Sequence, residues 1–90
     1  MWDDGTHERE TTMNVAEQMA RLVDGYETGE TTLRASADMG EAELERLAKS
    51  HGLTLYRPGE YPGEEDRVVL TDSAYAYAVG ADGKPEVIAG

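Results

Sequence analysis

The last part of the chain carries the pattern that most restricts its fold. In residues 74–80, AYAYAVG, tyrosine and valine alternate with alanine, and residues 85–89, PEVIA, are again rich in strand-forming side chains. The dipeptide Asp82–Gly83 between them is typical of two-residue hairpin turns. The sequence therefore predicts a C-terminal β-hairpin in which Tyr77 lies opposite Ile88, and both faces of this hairpin are apolar.

The two faces of the predicted hairpin differ in size. Alanine methyl groups let a helix approach closely, so we expect the face with Ala76 and Ala78 to pack against helices. Tyr75, Tyr77 and Ile88 would then point away from them. A second chain would cover these three side chains, most simply in a symmetric homodimer. The alternatives are the second half of the protein's own core and stacking on a ligand or nucleic acid.

Two earlier segments show helical spacing of apolar residues. The first, over about 14–24, begins with Asn14 as N-cap and ends before Gly25. The second, over about 41–51, ends before Gly52. The stretch 33–37 before it is compatible with either a short helix or an extended piece.

Residues 53–57 and 67–71 are predicted strands because apolar residues alternate or β-branched side chains cluster there. The fold class expected is α+β, with two main helices packed on a small antiparallel sheet that ends in the C-terminal hairpin. Ninety residues suffice for one modest core, so residues 13–90 are expected to form a single domain. Residues 1–12 show no apolar period and are predicted to be a flexible acidic tail.

Charge is the strongest functional indication. The chain has 19 acidic and 8 basic residues, a formal net charge of −11. Such a field repels phosphate backbones and attracts basic protein surfaces, which argues against direct nucleic-acid binding. A simple role in solubility, as in acidic proteins of salt-loving cells, explains the same bias.

Residues 58–66, PGEYPGEED, are predicted to form a presented loop. Tyr61, exposed between two prolines, would anchor a partner protein with a basic surface. The neighbouring carboxylates would supply charge; they belong to Glu60, Glu64, Glu65 and Asp66. These carboxylates also disfavour phosphate binding by the loop's glycines. An ordinary solvated loop is the alternative.

Catalytic and cofactor chemistry is sparsely represented. The chain has no cysteine, which excludes disulfides and cysteine zinc sites, and its two histidines, His7 and His51, lie in no metal-ligand pattern. No serine lies in a nucleophile motif. We therefore expect no enzyme activity, no cofactor and no metal. No apolar run is long enough to span a membrane, and a cytoplasmic location is expected.

Two function classes remain. The first is a non-enzymatic acidic protein-binding module that inhibits a nucleic-acid-handling protein; it is similar only in size and charge to phage-type anti-CRISPR and anti-restriction inhibitors, some of which act as DNA mimics. The alternative is a small winged helix-turn-helix-like transcriptional regulator formed by residues 32–57 and the hairpin. Against that alternative, the predicted reading helix begins with Glu41, Glu43 and Glu45, which would oppose phosphates.

Overall fold

The computed structural model describes residues 14–90, so the acidic tail predicted for residues 1–12 lies outside the described residues. The elements, in chain order, are helix α1 (Val15–Val23), a 3-10 helix (Ala37–Met39), helix α2 (Glu41–Ser50), and the strands β1 (Thr54–Tyr56), β2 (Val69–Thr71), β3 (Ala76–Val79) and β4 (Pro85–Ala89). The predicted α+β class is confirmed.

Helix α1 begins and ends where its local sequence dictates. The Asn14 side chain accepts a hydrogen bond from the Glu17 backbone N–H at 2.7 Å, which satisfies one of the free donors at the helix start. Its apolar residues follow the helical period, and Met19 and Val23 are fully buried. The helix therefore contributes one apolar stripe to the core.

Helix α2 ends in the predicted glycine cap. Gly52 has a φ of +81°, a conformation that glycine adopts without strain, and the Leu53 N–H reaches back to the Ala48 carbonyl at 2.9 Å. Directly before α2, residues 33–36 are extended and residues 37–39 form the 3-10 helix, so residues 33–37 do not supply the first helix of a helix-turn-helix.

The four strands form an antiparallel meander in the order β1-β2-β3-β4. The predicted hairpin between β3 and β4 is present, but its predicted register is wrong. Tyr77 pairs with Val87, not with Ile88. The turn spans Gly80–Lys84, in which the Gly83 N–H bonds to the Gly80 carbonyl at 3.0 Å. Because the turn is longer than the predicted two residues, the pairing next to it is shifted by one residue from the predicted register. A bulge at Ile88 adds one residue to β4, so that Ala76 pairs with Ala89 as predicted.

The two faces of the sheet are covered by different parts of the chain. Both helices pack on the face that carries Leu70, Tyr77 and Val79. The opposite face holds a second apolar cluster around Ala76 and Ala78. The predicted orientation of the hairpin is therefore reversed: the larger side chains fill the gap under the helices, and the alanines lie on the other side.

Candidate protein-binding loop

The segment between β1 and β2 forms the acidic loop, defined as residues 58–66, with an arginine at each end. The loop folds back on itself, because the Gly59 N–H donates to the Glu64 carbonyl at 3.1 Å and the Glu64 N–H to the Tyr61 carbonyl at 3.0 Å. The Arg57 N–H donates to Glu60 Oε1 at 2.9 Å, which closes the start of the loop. The loop is thus held by its own hydrogen bonds over residues 57–64.

Tyr61 anchors this loop to the sheet. Its ring meets that of Tyr56 edge to face, with 5.4 Å between the ring centroids, and it packs on the cluster that contains Val69 and Ala78. Tyr61 is half-buried, so its predicted exposure is wrong, while its role as an anchor for a partner stays a prediction. The small side chains of Ala76 and Ala78 leave room for the Tyr61 ring. This ring therefore packs on the alanine face of the sheet, where the sequence predicted a helix.

The flanking arginines are each bound by two carboxylates. Arg57 forms ion pairs with Glu41 and, at 3.4 Å, with Glu45, both on α2. The hydrogen bond to Glu41 is the main cause that raises the pKa of the Arg57 guanidinium. These pairs fix the start of the acidic loop to helix α2.

Arg67 fixes the other end of the loop through two ion pairs of its own. It pairs with Glu64 at 2.8 Å and with Glu86 of β4 at 3.1 Å, and it donates to the Val79 carbonyl at 3.1 Å. The hydrogen bond from Arg67 lowers the pKa of the Glu64 carboxyl. Glu64 is therefore a structural partner of Arg67, and its charge is already compensated.

Two carboxylates of the loop remain directed to solvent. Glu65 and Asp66 are exposed and form no hydrogen bond or ion pair within residues 14–90. Both flanking arginines are engaged elsewhere, so neither compensates these two charges. Of the predicted acidic set, this pair alone is exposed and uncompensated, and it lies directly between Glu64 and Arg67, which are bound to each other, while Glu60 and Glu64 hold the loop together.

The three side chains predicted to form a dimer face do not share one face, although the rings of Tyr75 and Tyr77 meet edge to face with 6.2 Å between their centroids. Tyr77 is half-buried on the helix side, where its ring meets Tyr26 edge to face at 6.1 Å. Ile88 packs on the opposite side of the sheet with Ala76. Tyr75 lies just before β3 and is 50% exposed. A single face of Tyr75, Tyr77 and Ile88 therefore does not exist.

The Asp72 carboxylate accepts four hydrogen bonds, a role that the sequence did not predict. Its Oδ1 accepts hydrogen bonds from the Ala74 and Tyr75 N–H groups, both at 2.7 Å, and its Oδ2 accepts from the Tyr26 hydroxyl and, at 3.4 Å, from that of Tyr77. The hydrogen bond from Tyr26 is the main cause that lowers the pKa of the Asp72 carboxyl to about 2. Asp72–Ser73 between two strands indicated a turn, but nothing local indicated the distant tyrosine.

A shallow groove of about 590 Å³ lies along α2 and the 3-10 helix. It is lined by Met39, Glu43, Arg46, Leu47, Lys49 and Ser50. Its lining mixes both charge signs with two apolar side chains, which indicates no particular ligand.

Within residues 14–90, no group of three His, Asp or Glu side chains is arranged to hold a metal ion. No helix among these residues is long and apolar enough to cross a membrane. A scan against protein-family models gives no match, and neither the curated proteins nor the solved structures include a significant match to this chain.

Proposed function

We propose that this chain is a non-enzymatic protein-binding module whose acidic loop docks on a basic surface of a nucleic-acid-handling protein. One observation carries the proposal. The loop is closed by its own hydrogen bonds and anchored through Tyr61, while Glu65 and Asp66 point to solvent without a compensating cation in residues 14–90. The two charges lie between Glu64 and Arg67, which are both held, so docking would have little chain to order and would lose less entropy than a mobile segment.

In its most specific form, the proposal is inhibition. The module would occupy its target by placing carboxylates where phosphates otherwise bind, as a DNA mimic does. The net charge of −11 supports this form, because a strongly negative field speeds encounter with a basic surface. The same field opposes direct contact with DNA.

The test is competition for a DNA-binding target. The pure protein is titrated into complexes of labelled duplex DNA with a restriction endonuclease and with a guide-loaded Cas9, and released DNA is measured. We expect displacement that weakens as salt rises, because ions screen contacts between exposed charges. A parallel titration with the labelled DNA alone tests direct binding, and such binding would reject the proposed mimicry.

A matched pair of double variants assigns the effect to the loop. Glu65→Gln with Asp66→Asn removes two loop charges, and Glu27→Gln with Glu30→Gln removes two exposed charges from the turn after α1. The loop variant should lose about tenfold in affinity, since a close charge pair at an interface contributes at least about 1.4 kcal/mol. Equal losses in both variants would show that net charge alone matters and would reject the loop as the site.

A further inference from the structure

Strand β4 is an open edge of the sheet. It lies last in the strand order, and within residues 14–90 the element on which it packs extensively is β3. Four of its five residues are exposed, and Val87 is 57% exposed. Exposed edge strands offer unpaired backbone groups to other strands.

The hydrogen-bond alternation of an antiparallel pair shows which backbone groups face outwards. The Gly80 N–H donates to the Lys84 carbonyl at 2.8 Å, so this pair is hydrogen-bonded. Counting in alternation, Ala78–Glu86 is hydrogen-bonded, whereas Val79–Pro85 and Tyr77–Val87 are not. Pro85 fits this pattern, because its missing N–H would have pointed to the open side. The Val87 N–H and carbonyl therefore both point away from β3.

The open edge carries few of the charged side chains that usually block strand pairing. The residues of β4 include a single charged side chain, Glu86, and its carboxylate pairs with Arg67 at 3.1 Å. Ile88 is the bulge residue of the strand, so a flat edge is confined to the short stretch around Val87.

We propose that β4 pairs with β4 of a second copy in an antiparallel, two-fold symmetric dimer centred on Val87. A second copy fits because the register is self-complementary. The two Val87 residues exchange N–H···O=C bonds across the axis, and each Glu86 lies opposite Ile88 of the other copy. No like charges face each other along the two strands, and the two sheets join into one of eight strands.

The expected salt dependence separates this dimer from the proposed loop binding. Two copies that each carry a net charge of −11 repel each other, so screening by salt should strengthen the dimer. Binding of the acidic loop to a basic partner should weaken under the same change. The two inferences can therefore fail independently.

Sedimentation equilibrium of the full chain at low and high salt tests the proposal, together with amide hydrogen exchange by NMR. We expect a concentration-dependent dimer that tightens with salt, and a Val87 N–H that becomes protected as the dimer forms. A chain that stays monomeric up to about 1 mM, with a rapidly exchanging Val87 amide, would overturn it.

Val87→Pro removes the outward N–H without removing a bond to β3. Two symmetric hydrogen bonds are lost, so the dimer dissociation constant should rise at least about tenfold. Val87→Thr is the control, since it keeps both the N–H and the β-branched shape. If circular dichroism shows that the proline variant does not fold, Val87→Lys replaces it, because that exposed position tolerates a lysine and two lysines would meet at the axis. A dimer of unchanged strength in either folded variant places the contact elsewhere and rejects the proposal.

Discussion

The Tyr26 hydroxyl donates a hydrogen bond to the carboxylate of Asp72, 46 residues further along the chain. Tyr26 follows α1, and Asp72 begins the turn between β2 and β3, so this bond ties the helical layer to the sheet. Burial and this bond to Asp72 both raise the pKa of the Tyr26 hydroxyl, which keeps it protonated as a donor.

The Asp72 carboxylate should make stability depend on acidity. Its pKa is about 2 in the folded state and about 3.9 in an unfolded chain, so its contribution is complete above about pH 4 and is lost as pH falls towards 2. Asp72→Asn should lower the free energy of unfolding at pH 7 by roughly 1–2 kcal/mol, because charge-assisted hydrogen bonds are lost at a partly exposed site. Urea denaturation at pH 7, 4 and 2 measures both effects.

Asp66→Asn is the control for that experiment. It makes the same chemical change at an exposed carboxylate that has no bond within residues 14–90. Stability and its acid dependence should stay close to those of the wild type. Similar losses in the two variants would mean that Asp72 does not have the role assigned to it.

Gln18 holds the backbone of the sheet from within α1. Its Oε1 accepts a hydrogen bond from the buried Val68 N–H at 2.9 Å. Gln18→Ala should lower the free energy of unfolding by roughly 2 kcal/mol, because this buried donor loses its acceptor. Faster exchange of the Val68 amide, seen by NMR, would accompany the loss. Glu17→Ala, one position earlier in the same helix, should change stability by less than about 0.5 kcal/mol.

The ring of Tyr61 should matter for folding as well as for the loop. Tyr61→Ala removes an aromatic side chain packed on Tyr56 and the alanine face of the sheet, so the free energy of unfolding should fall by roughly 2 kcal/mol, or about 10 °C in Tm. Tyr61→Phe should leave Tm nearly unchanged, because the hydroxyl forms no hydrogen bond in the described chain. An unchanged Tm for Tyr61→Ala would return this residue to the exposed role first expected.

Gly83 completes the turn between β3 and β4 with a φ of +81°. An alanine there is strained, so Gly83→Ala should lower the free energy of unfolding by about 1 kcal/mol. Gly83→Asn should cost less, since asparagine adopts positive φ more readily. Thermal unfolding followed by circular dichroism compares the two variants; an equal cost would point to steric contact of the new side chain rather than to backbone strain.

The local sequence determined the positions of the main elements. Asn14 caps α1 through a bond to the next turn, and Gly52 with Leu53 ends α2 through bonds to α2's own last turn. These interactions join residues that are close in the chain, so the sequence pattern alone predicts them. The α+β class followed from the same local patterns, because helical periods came first and strand alternation later.

Tertiary structure decided which face of the hairpin lies inside. Alternation in residues 74–80 gives two apolar faces and does not say which one meets the helices. The larger Tyr77 and Val79 fill the space under the helices, where the small Ala76 and Ala78 would leave voids. The alanines instead accept the ring of Tyr61 from a loop that the pattern could not place.

In the acidic loop, too, some properties follow from the sequence and others only from tertiary contacts. Composition marked residues 58–66 as acidic, and this much required no structure. Which carboxylates are free depends on Arg67, which engages Glu64 nearby and Glu86 from another strand. Contacts between residues far apart in the chain form only when the sheet brings them together, so the sequence by itself determined the loop's charge and the tertiary structure left Glu65 and Asp66 uncompensated.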